Sequence, residues 1–164
     1  MVTGSVASSI HGVPRSTNDL DVVIAPSGAQ LSALVQLFNR LGLYVDLPTE
    51  QITQRRQDQF NVIDFKNSLK ADLIFRKTRD FSVIEFDRRE IMDSEGFNFF
   101  IARPEDVIIS KLEWSKIGDS ERQLRDAAGI IQMQGDKLDL AYVEQWVEAL
   151  GLREQWSAAQ AMAG

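Results

Sequence analysis

Three aspartates have the spacing expected of a site for a divalent cation. Asp19 and Asp21 are separated by one residue at the start of a short β-branched segment, so an extended backbone places both carboxylates on one face. Asp72 stands at the start of another apolar segment. If these segments are neighbouring strands, the carboxylates converge and repel one another unless a cation lies among them. Mg²⁺, or Mn²⁺ in its place, prefers such oxygen ligands, so Asp19, Asp21 and Asp72 are the predicted metal ligands and catalytic residues.

A second group of residues upstream has the character of an anion site. Gly4 and Ser5 lie where a strand end is expected to turn into a short helix. Glycine lets the backbone approach a ligand closely, and the free N–H groups of a helix N-terminus attract phosphate. The Ser5 hydroxyl adds a donor. An anion site beside a metal site is the combination needed to bind a nucleoside triphosphate.

The elements that must position these residues belong to a mixed α/β half of the chain. Ser27 and Gln30 form a predicted capping box, and Gly42 is expected to end the helix that follows. A polar turn of hairpin length separates two apolar runs. The pattern predicts helices over 6–11 and 27–41, strands over 20–24, 43–47, 60–65, 71–75 and 97–101, an undecided stretch over 81–86, and a polar segment over 49–58.

The remaining residues predict helices. Pro104 suits a first helical position, Ser120 and Gln123 form a second predicted capping box, and Asp139 can cap a third helix. The inner face of the first of these helices is assigned to Val107, Ile108, Leu112 and Trp114 or Ile117. We therefore expect an α/β (α+β) fold with a mixed sheet flanked by helices, divided into a core over 1–101 and a C-terminal helical subdomain over 102–164.

Composition excludes several classes of chemistry. The 164 residues include no cysteine and one histidine, His11, which rules out thiol catalysis and any site built from several histidines. A net charge of −6 argues against sequence-independent binding of duplex nucleic acid. No apolar stretch is long enough to span a membrane and no leader pattern is present, so a cytoplasmic protein is expected. Basic residues do concentrate in the middle third, either as solvated charges or as a surface for a polyanionic acceptor.

A longer motif carries a family resemblance. Gly4-Ser5 followed by Asp19-Leu-Asp21, within the segment from Val2 to Ile24, resembles the signature of the DNA polymerase beta-like nucleotidyltransferase superfamily. The form with Arg15 and Thr17 before the aspartates is similar to a bacterial branch related to abortive-infection and toxin–antitoxin nucleotidyltransferase toxins. The later stretches Arg-Pro-Glu-Asp-Val-Ile-Ile-Ser-Lys-Leu and Arg-Gln-Leu-Arg-Asp also match.

The resemblance implies a metal-dependent nucleotidyltransferase that moves a nucleoside monophosphate from an NTP to an acceptor hydroxyl on RNA, protein or a small molecule. It implies an antitoxin as a further partner. By the same match, Asp72 helps to deprotonate the acceptor. The residues that it assigns to the nucleotide are Gly4, Ser5, Arg15, Thr17 and Lys111, and those that it places on a second helix facing the cleft are Arg122, Arg125 and Asp126.

Simpler interpretations of the same residues stay open. Lys111 lies among apolar residues and can extend its amine out of an apolar face. Arg122 and Arg125 can be ordinary ion pairs with Glu121 or Asp126. The whole chain can also be a catalytically inactive module of the same fold that binds nucleotide or a partner protein.

Overall fold

The computed structural model describes residues 1–46, 59–94 and 96–164. Within them the chain forms helices and strands in a mixed order, and a short 3₁₀ turn at Gly135–Lys137 follows the fifth helix. The elements are α1 (Gly4–His11), β1 (Asp19–Ile24), α2 (Gly28–Arg40), β2 (Tyr44–Asp46), β3 (Gln59–Asp64), β4 (Leu69–Phe75), α3 (Asp80–Asp87), β5 (Glu90–Ser94), β6 (Phe97–Ile101), α4 (Pro104–Gly118), α5 (Glu121–Gln134), α6 (Leu140–Ala149) and α7 (Arg153–Ala163).

The larger sheet has two unlike faces. Its strand order is β1-β4-β3-β2, with β1 parallel to β4 and the other pairs antiparallel. Alternate residues of β1, β3 and β4 are apolar, and this face packs against α2 through a cluster of Leu31, Phe60, Val62 and Leu73. The intervening residues lie on the opposite face, where all but Val23, Ile63 and Ile74 are polar or charged. This division leaves one face of the sheet free to carry chemistry.

The main hydrophobic core lies between the smaller hairpin and the C-terminal helices. Strands β5 and β6 pair with each other, and Val2 bridges both β1 and β6. Buried residues of α1, α3 and β6 form one cluster with those of α4 to α7, among them Ala7, Phe81, Ile108 and Trp156. The predicted boundary between the core and the helical subdomain falls between β6 and α4. This cluster contains residues from both sides of the boundary, so the division stays a prediction.

Most elements agree with the sequence pattern, and the expected α/β fold with a mixed sheet is confirmed. The Ser27–Gln30 capping box is present, and Asp139 accepts a hydrogen bond from the Tyr142 N–H at 3.0 Å. The undecided stretch at 81–86 is helical, and β5 was not anticipated because its polar residues follow no clear alternation. The predicted segment at 49–58 and the end of the strand predicted at 43–47 lie outside the described residues.

Two local predictions in the C-terminal half are wrong. The Ser120 side chain makes no capping hydrogen bond, although α5 begins at the next residue. Trp114 and Ile117 are 60% and 75% exposed, because α4 buries the side that carries Val107, Ile108 and Leu112 and turns these two outward. None of the described helices combines the length and the apolar character required to cross a bilayer.

Candidate active site

A cavity of about 680 Å³ opens over the polar face of the larger sheet. Its walls are the N-terminus of α1, the loop at 15–18, α3, α4 and the start of α5. The lining contains most of the residues singled out from the sequence: Gly4, Ser5, Arg15, Thr17, Asp19, Asp21, Asp72, Lys111 and Arg122. Residues from both halves of the chain therefore meet at one place.

Strand pairing brings the three aspartates together. Asp21 is in register with Asp72 across the parallel β1–β4 pair, and Asp19 lies on the same face two residues earlier. Burial raises the pKa of Asp21, and the negative charges of Asp72 and Asp19 raise it further. Lys70 Nζ lies 3.0 Å from Asp72 Oδ1 and offsets part of this negative charge. The carboxylates thus converge as their spacing predicts, with a lysine beside them.

The polar face continues beyond Asp72 to a residue that the sequence did not single out. Asn61 on β3 is directly opposite Asp72, and its Oδ1 is shut off from solvent with no hydrogen-bond partner in the described part of the chain. The alternation of polar and apolar residues in β3 is the signal that would have found it. Asn61 therefore lies beside Asp72 on the polar face but is not one of the residues that line the cavity.

The donor set suits a hard cation, although the side chains do not enclose one as they lie. Asp19, Asp21 and Asp72 supply carboxylate oxygens, the ligands that Mg²⁺ prefers. Within 1–46, 59–94 and 96–164, however, no three acidic or histidine side chains close around a single point. Asp21 accepts the Ser5 N–H and Asp72 is paired with Lys70. Each of these two carboxylates therefore already has one contact with a protein group.

The turn at Gly4 is built against Asp21. Gly4 has a φ of +62°, and a Cβ at this position would lie 2.0 Å from Asp21 Oδ2. The next residue, Ser5, donates its backbone N–H to the same carboxylate. The start of α1 and the aspartate are therefore in direct contact, which no side chain larger than hydrogen at position 4 would allow.

Arg15, Lys111 and Asp126 form an ion-pair network at the edge of the cavity. Both Arg15 Nε and Arg15 Nη2 lie 2.9 Å from the Asp126 carboxylate, and Lys111 Nζ lies 2.8 Å from it. Arg15 Nη2 also donates to Ser5 Oγ at 2.8 Å. Burial alone would raise the pKa of Asp126, but hydrogen bonds from Arg15 and Lys111 outweigh it and hold this pKa below its usual value. Asp126 thus binds both Arg15 and Lys111, and Arg15 connects this network to Ser5 at the start of α1.

Lys111 and Asp126 are the buried members of this network, whereas Arg15 is partly exposed. The Lys111 side chain is 5% exposed, and burial lowers its pKa although Asp126 opposes the change. The amine also interacts electrostatically with Asp21, which places it between the network and the carboxylates. Lys111 is therefore not a side chain that merely extends to solvent from an apolar face.

The remaining candidate site residues differ in whether they line the cavity. Arg122 lines the cavity, and Thr17 lines it while its hydroxyl donates to the Asp19 carbonyl oxygen at 3.3 Å. Arg125 is not brought to the cavity: its side chain is 66% exposed and pairs with Glu121 one turn earlier on α5. Helical spacing puts Arg122 and Asp126 on the inner side of α5 and leaves Arg125 outside. His11 is structural, with Nε2 2.8 Å from the Ala102 carbonyl oxygen.

Two further cavity residues were missed from the sequence. Glu85 on α3 is 7% exposed, and Ser110 Oγ donates to its carboxylate at 3.3 Å. Trp114 on α4 also lines the cavity, whereas packing was the role expected for it. Among the described basic residues of the middle third, Lys70, Arg79 and Arg88 pair with acidic groups, whereas Arg76 and Lys77 line the cavity. The surface for a polyanionic acceptor therefore stays a prediction.

Two solved structures resemble the chain in fold. The solution structure of the antibiotic-resistance factor ANT(2'')-Ia aligns with a TM-score of 0.55 and 12% identity, over 98% of this chain and 84% of that one. An antigenic nucleotidyltransferase-like protein from Paracoccidioides brasiliensis aligns with a TM-score of 0.56 and 14% identity, over 98% and 83%. No family model matches the sequence, and no curated protein matches it significantly. These likenesses show that the chain has a nucleotidyltransferase fold.

Proposed function

We propose that the chain is a metal-dependent nucleotidyltransferase that transfers a nucleoside monophosphate from an NTP to an acceptor hydroxyl. The observation that carries the proposal is the register of β1 and β4, which sets Asp21 beside Asp72 with Asp19 on the same face. This carboxylate row lies against the start of α1 and near Lys111, so the proposed cation site and the proposed anion site would share one cavity. The fold supports the same conclusion.

Each group has a distinct role in this proposal. Asp19, Asp21 and Asp72 would hold Mg²⁺ or Mn²⁺, which supplies charge neutralisation for the phosphates and for the leaving group. The N–H groups at Gly4 and Ser5 would bind the triphosphate, together with Arg15, Thr17 and Lys111. The acceptor oxygen forms a bond to the α-phosphorus while the bond to pyrophosphate breaks. Asp72 takes the proton of the acceptor hydroxyl.

The ion pairs of the cavity favour a second candidate, a nucleotide-binding module without turnover. Arg15 and Lys111 are both engaged by Asp126, and Asp72 is engaged by Lys70. A triphosphate can bind to the side chains of Arg15 and Lys111 only if it displaces the Asp126 carboxylate from them. Stabilisation by NTP without any product would favour this candidate.

The acceptor is proposed to be RNA, protein or a small molecule in the cytoplasm, with a toxin activity and an antitoxin partner as the narrowest form of the proposal. The support for this form is the Arg15-to-Asp21 motif. Growth arrest on expression, lost in Asp19→Asn, is the expected result. Harmless overexpression of an active enzyme would exclude the toxin form and leave the transferase proposal in place.

The test of the transferase is a labelling experiment. The protein is incubated with each α-labelled NTP, Mg²⁺ or Mn²⁺, and total cellular RNA and protein. We expect the wild type to transfer label and Asp21→Asn to lose transfer while it stays folded. Asp93→Asn is the matched control, since Asp93 is an exposed residue of β5 outside the cavity. Equal transfer by wild type and Asp21→Asn would contradict the proposal.

A further inference from the structure

The helix α4 presents one stripe of side chains to the cavity. Val107, Ser110, Lys111, Trp114 and Ile117 recur at intervals of three or four residues and all line it. The stripe changes character along its length. Val107 and Lys111 are buried and Ser110 is partly buried, whereas Trp114 and Ile117 are 60% and 75% exposed. The outer end of this cavity wall therefore exposes two large apolar side chains to solvent.

Trp114 differs from the other tryptophans of the chain. Trp146 and Trp156 are 8% and 1% exposed and belong to the main core. Trp114 contributes nothing comparable to packing, and an exposed indole beside an exposed isoleucine is the kind of patch that marks a binding surface. Its ring is free to contact a ligand that enters the cavity.

Trp114 lies about one helical turn from Lys111, one of the residues proposed to bind the triphosphate. It follows Lys111 by three residues, which is a rise of about 4.5 Å along the helix. Lys111 interacts with Asp21, so this helical turn separates the ring from the carboxylate and anion groups. A nucleotide with its phosphates near Asp21 and Lys111 would extend its sugar and base along α4 toward Trp114.

A polar group on the first turn of α5, which begins three residues after α4 ends, has no hydrogen-bond partner among the described residues. Gln123 Oε1 on α5 is shut off from solvent and accepts no hydrogen bond from any described residue, and Gln123 lines the cavity beside Arg122. A buried polar atom of this kind is costly unless something donates to it. A flat heterocycle with N–H groups on its edge fits both features: its face can contact the exposed indole, and its edge can reach the amide once the Gln123 side chain turns toward the cavity.

We propose that Trp114, with Ile117 beside it and Gln123 at the edge, forms the surface that binds the nucleobase of the NTP substrate. This inference rests on the proposed function, since it assigns the base end of the same nucleotide. Stacking on an aromatic face tolerates every base, so Trp114 supplies affinity and Gln123 supplies preference among bases.

The test compares ligands with and without a base. Wild type, Trp114→Phe and Trp114→Ala are titrated with each Mg·NTP and with Mg·tripolyphosphate, in the absence of any acceptor. Trp114→Ala should weaken NTP binding by roughly 5- to 150-fold and leave tripolyphosphate binding unchanged, whereas Trp114→Phe should retain most of the NTP affinity. Met133→Ala is the control, because Met133 is an exposed apolar residue on α5 outside the cavity.

The outcomes separate the inference from the function on which it rests. Unchanged NTP affinity in Trp114→Ala overturns the inference while the transferase proposal stands. Failure of the wild type to bind either NTP or tripolyphosphate would overturn both. Equal loss of both ligands in Trp114→Ala would indicate a general distortion of the cavity and overturn the stacking role.

Discussion

Replacing Glu85 by glutamine is expected to change how the stability of the protein depends on pH. Glu85 is buried in the cavity wall between α3 and α4. Burial, followed by the negative charge of Asp106, raises the pKa of Glu85 from 4.5 to about 8, against the opposing effects of Ser110 and Arg79. Glutamine keeps an oxygen that can accept the Ser110 hydrogen bond but has no charge. The substitution therefore isolates the titration.

The sign and size of the effect follow from proton binding in the two states. Below about pH 4.5 the carboxyl is protonated both folded and unfolded, so it has no effect on pH dependence. Between pH 4.5 and about 8 only the unfolded chain releases the proton, and the free energy of unfolding falls by about 1.4 kcal/mol per pH unit. Glu85 should thus cost the wild type about 2–3 kcal/mol between about pH 5 and about pH 7.

Urea denaturation across this pH range measures the difference. The free energy of unfolding of Glu85→Gln minus that of wild type should rise steadily with pH and level off above about pH 8. Glu154→Gln, which removes a carboxylate from the exposed surface of α7, should show no such slope. A constant difference between Glu85→Gln and wild type at every pH would refute the reasoning, because it would mean that Glu85 ionises alike in the folded and unfolded chain.

Two further substitutions test the contacts of the site. Gly4→Ala should destabilise the protein by about 2 kcal/mol or more, because the new Cβ would clash with Asp21 and the backbone φ is positive. Gly96→Ala is the control, since Gly96 also has a positive φ but a Cβ there would meet no described atom within 4 Å, and it should cost less stability. Equal losses of stability in thermal denaturation would contradict the contact between position 4 and Asp21. Asp126→Asn should cost about 3–5 kcal/mol because Lys111 stays buried without its anion. The double variant Lys111→Met/Asp126→Leu should recover most of this loss, and an Asp126→Asn protein as stable as wild type would show that the pair is not buried in solution.

Local interactions explain why several elements were predictable. Helix α2 begins with Ser27 and Gln30 satisfying each other's backbone N–H groups, an arrangement that needs only neighbouring residues. The hairpin of β3 and β4 likewise follows from two apolar runs around a polar turn. Strand β5 was missed because its pairing with β6, and not its own pattern, makes it a strand. The same Ser-x-x-Gln spacing at Ser120 forms no capping hydrogen bond, which shows the limit of a purely local rule.

The candidate site shows a similar division. The spacing of Asp19 and Asp21 places both side chains on one face of any extended strand, so their proximity follows from the sequence alone. The approach of Asp72 depends on the parallel pairing of β1 with β4, which joins segments far apart in the chain. The hypothesis that all three converge was therefore conditional on tertiary structure. Antiparallel pairing on the other side of β4 likewise places Asn61 opposite Asp72.

The amino-acid sequence by itself determined the identities and local geometry of the chemical groups: a glycine before a helix, two carboxylates on one strand face, and a lysine on a later helix. Only the tertiary structure decided which of these groups touch. Asp126 holds Arg15 and Lys111, Glu85 is buried near Asp106, and Trp114 faces the cavity instead of the core. Such contacts depend on how α1, α3, α4 and α5 pack, because burial and charge pairing are set by neighbours in space and not by neighbours in the chain.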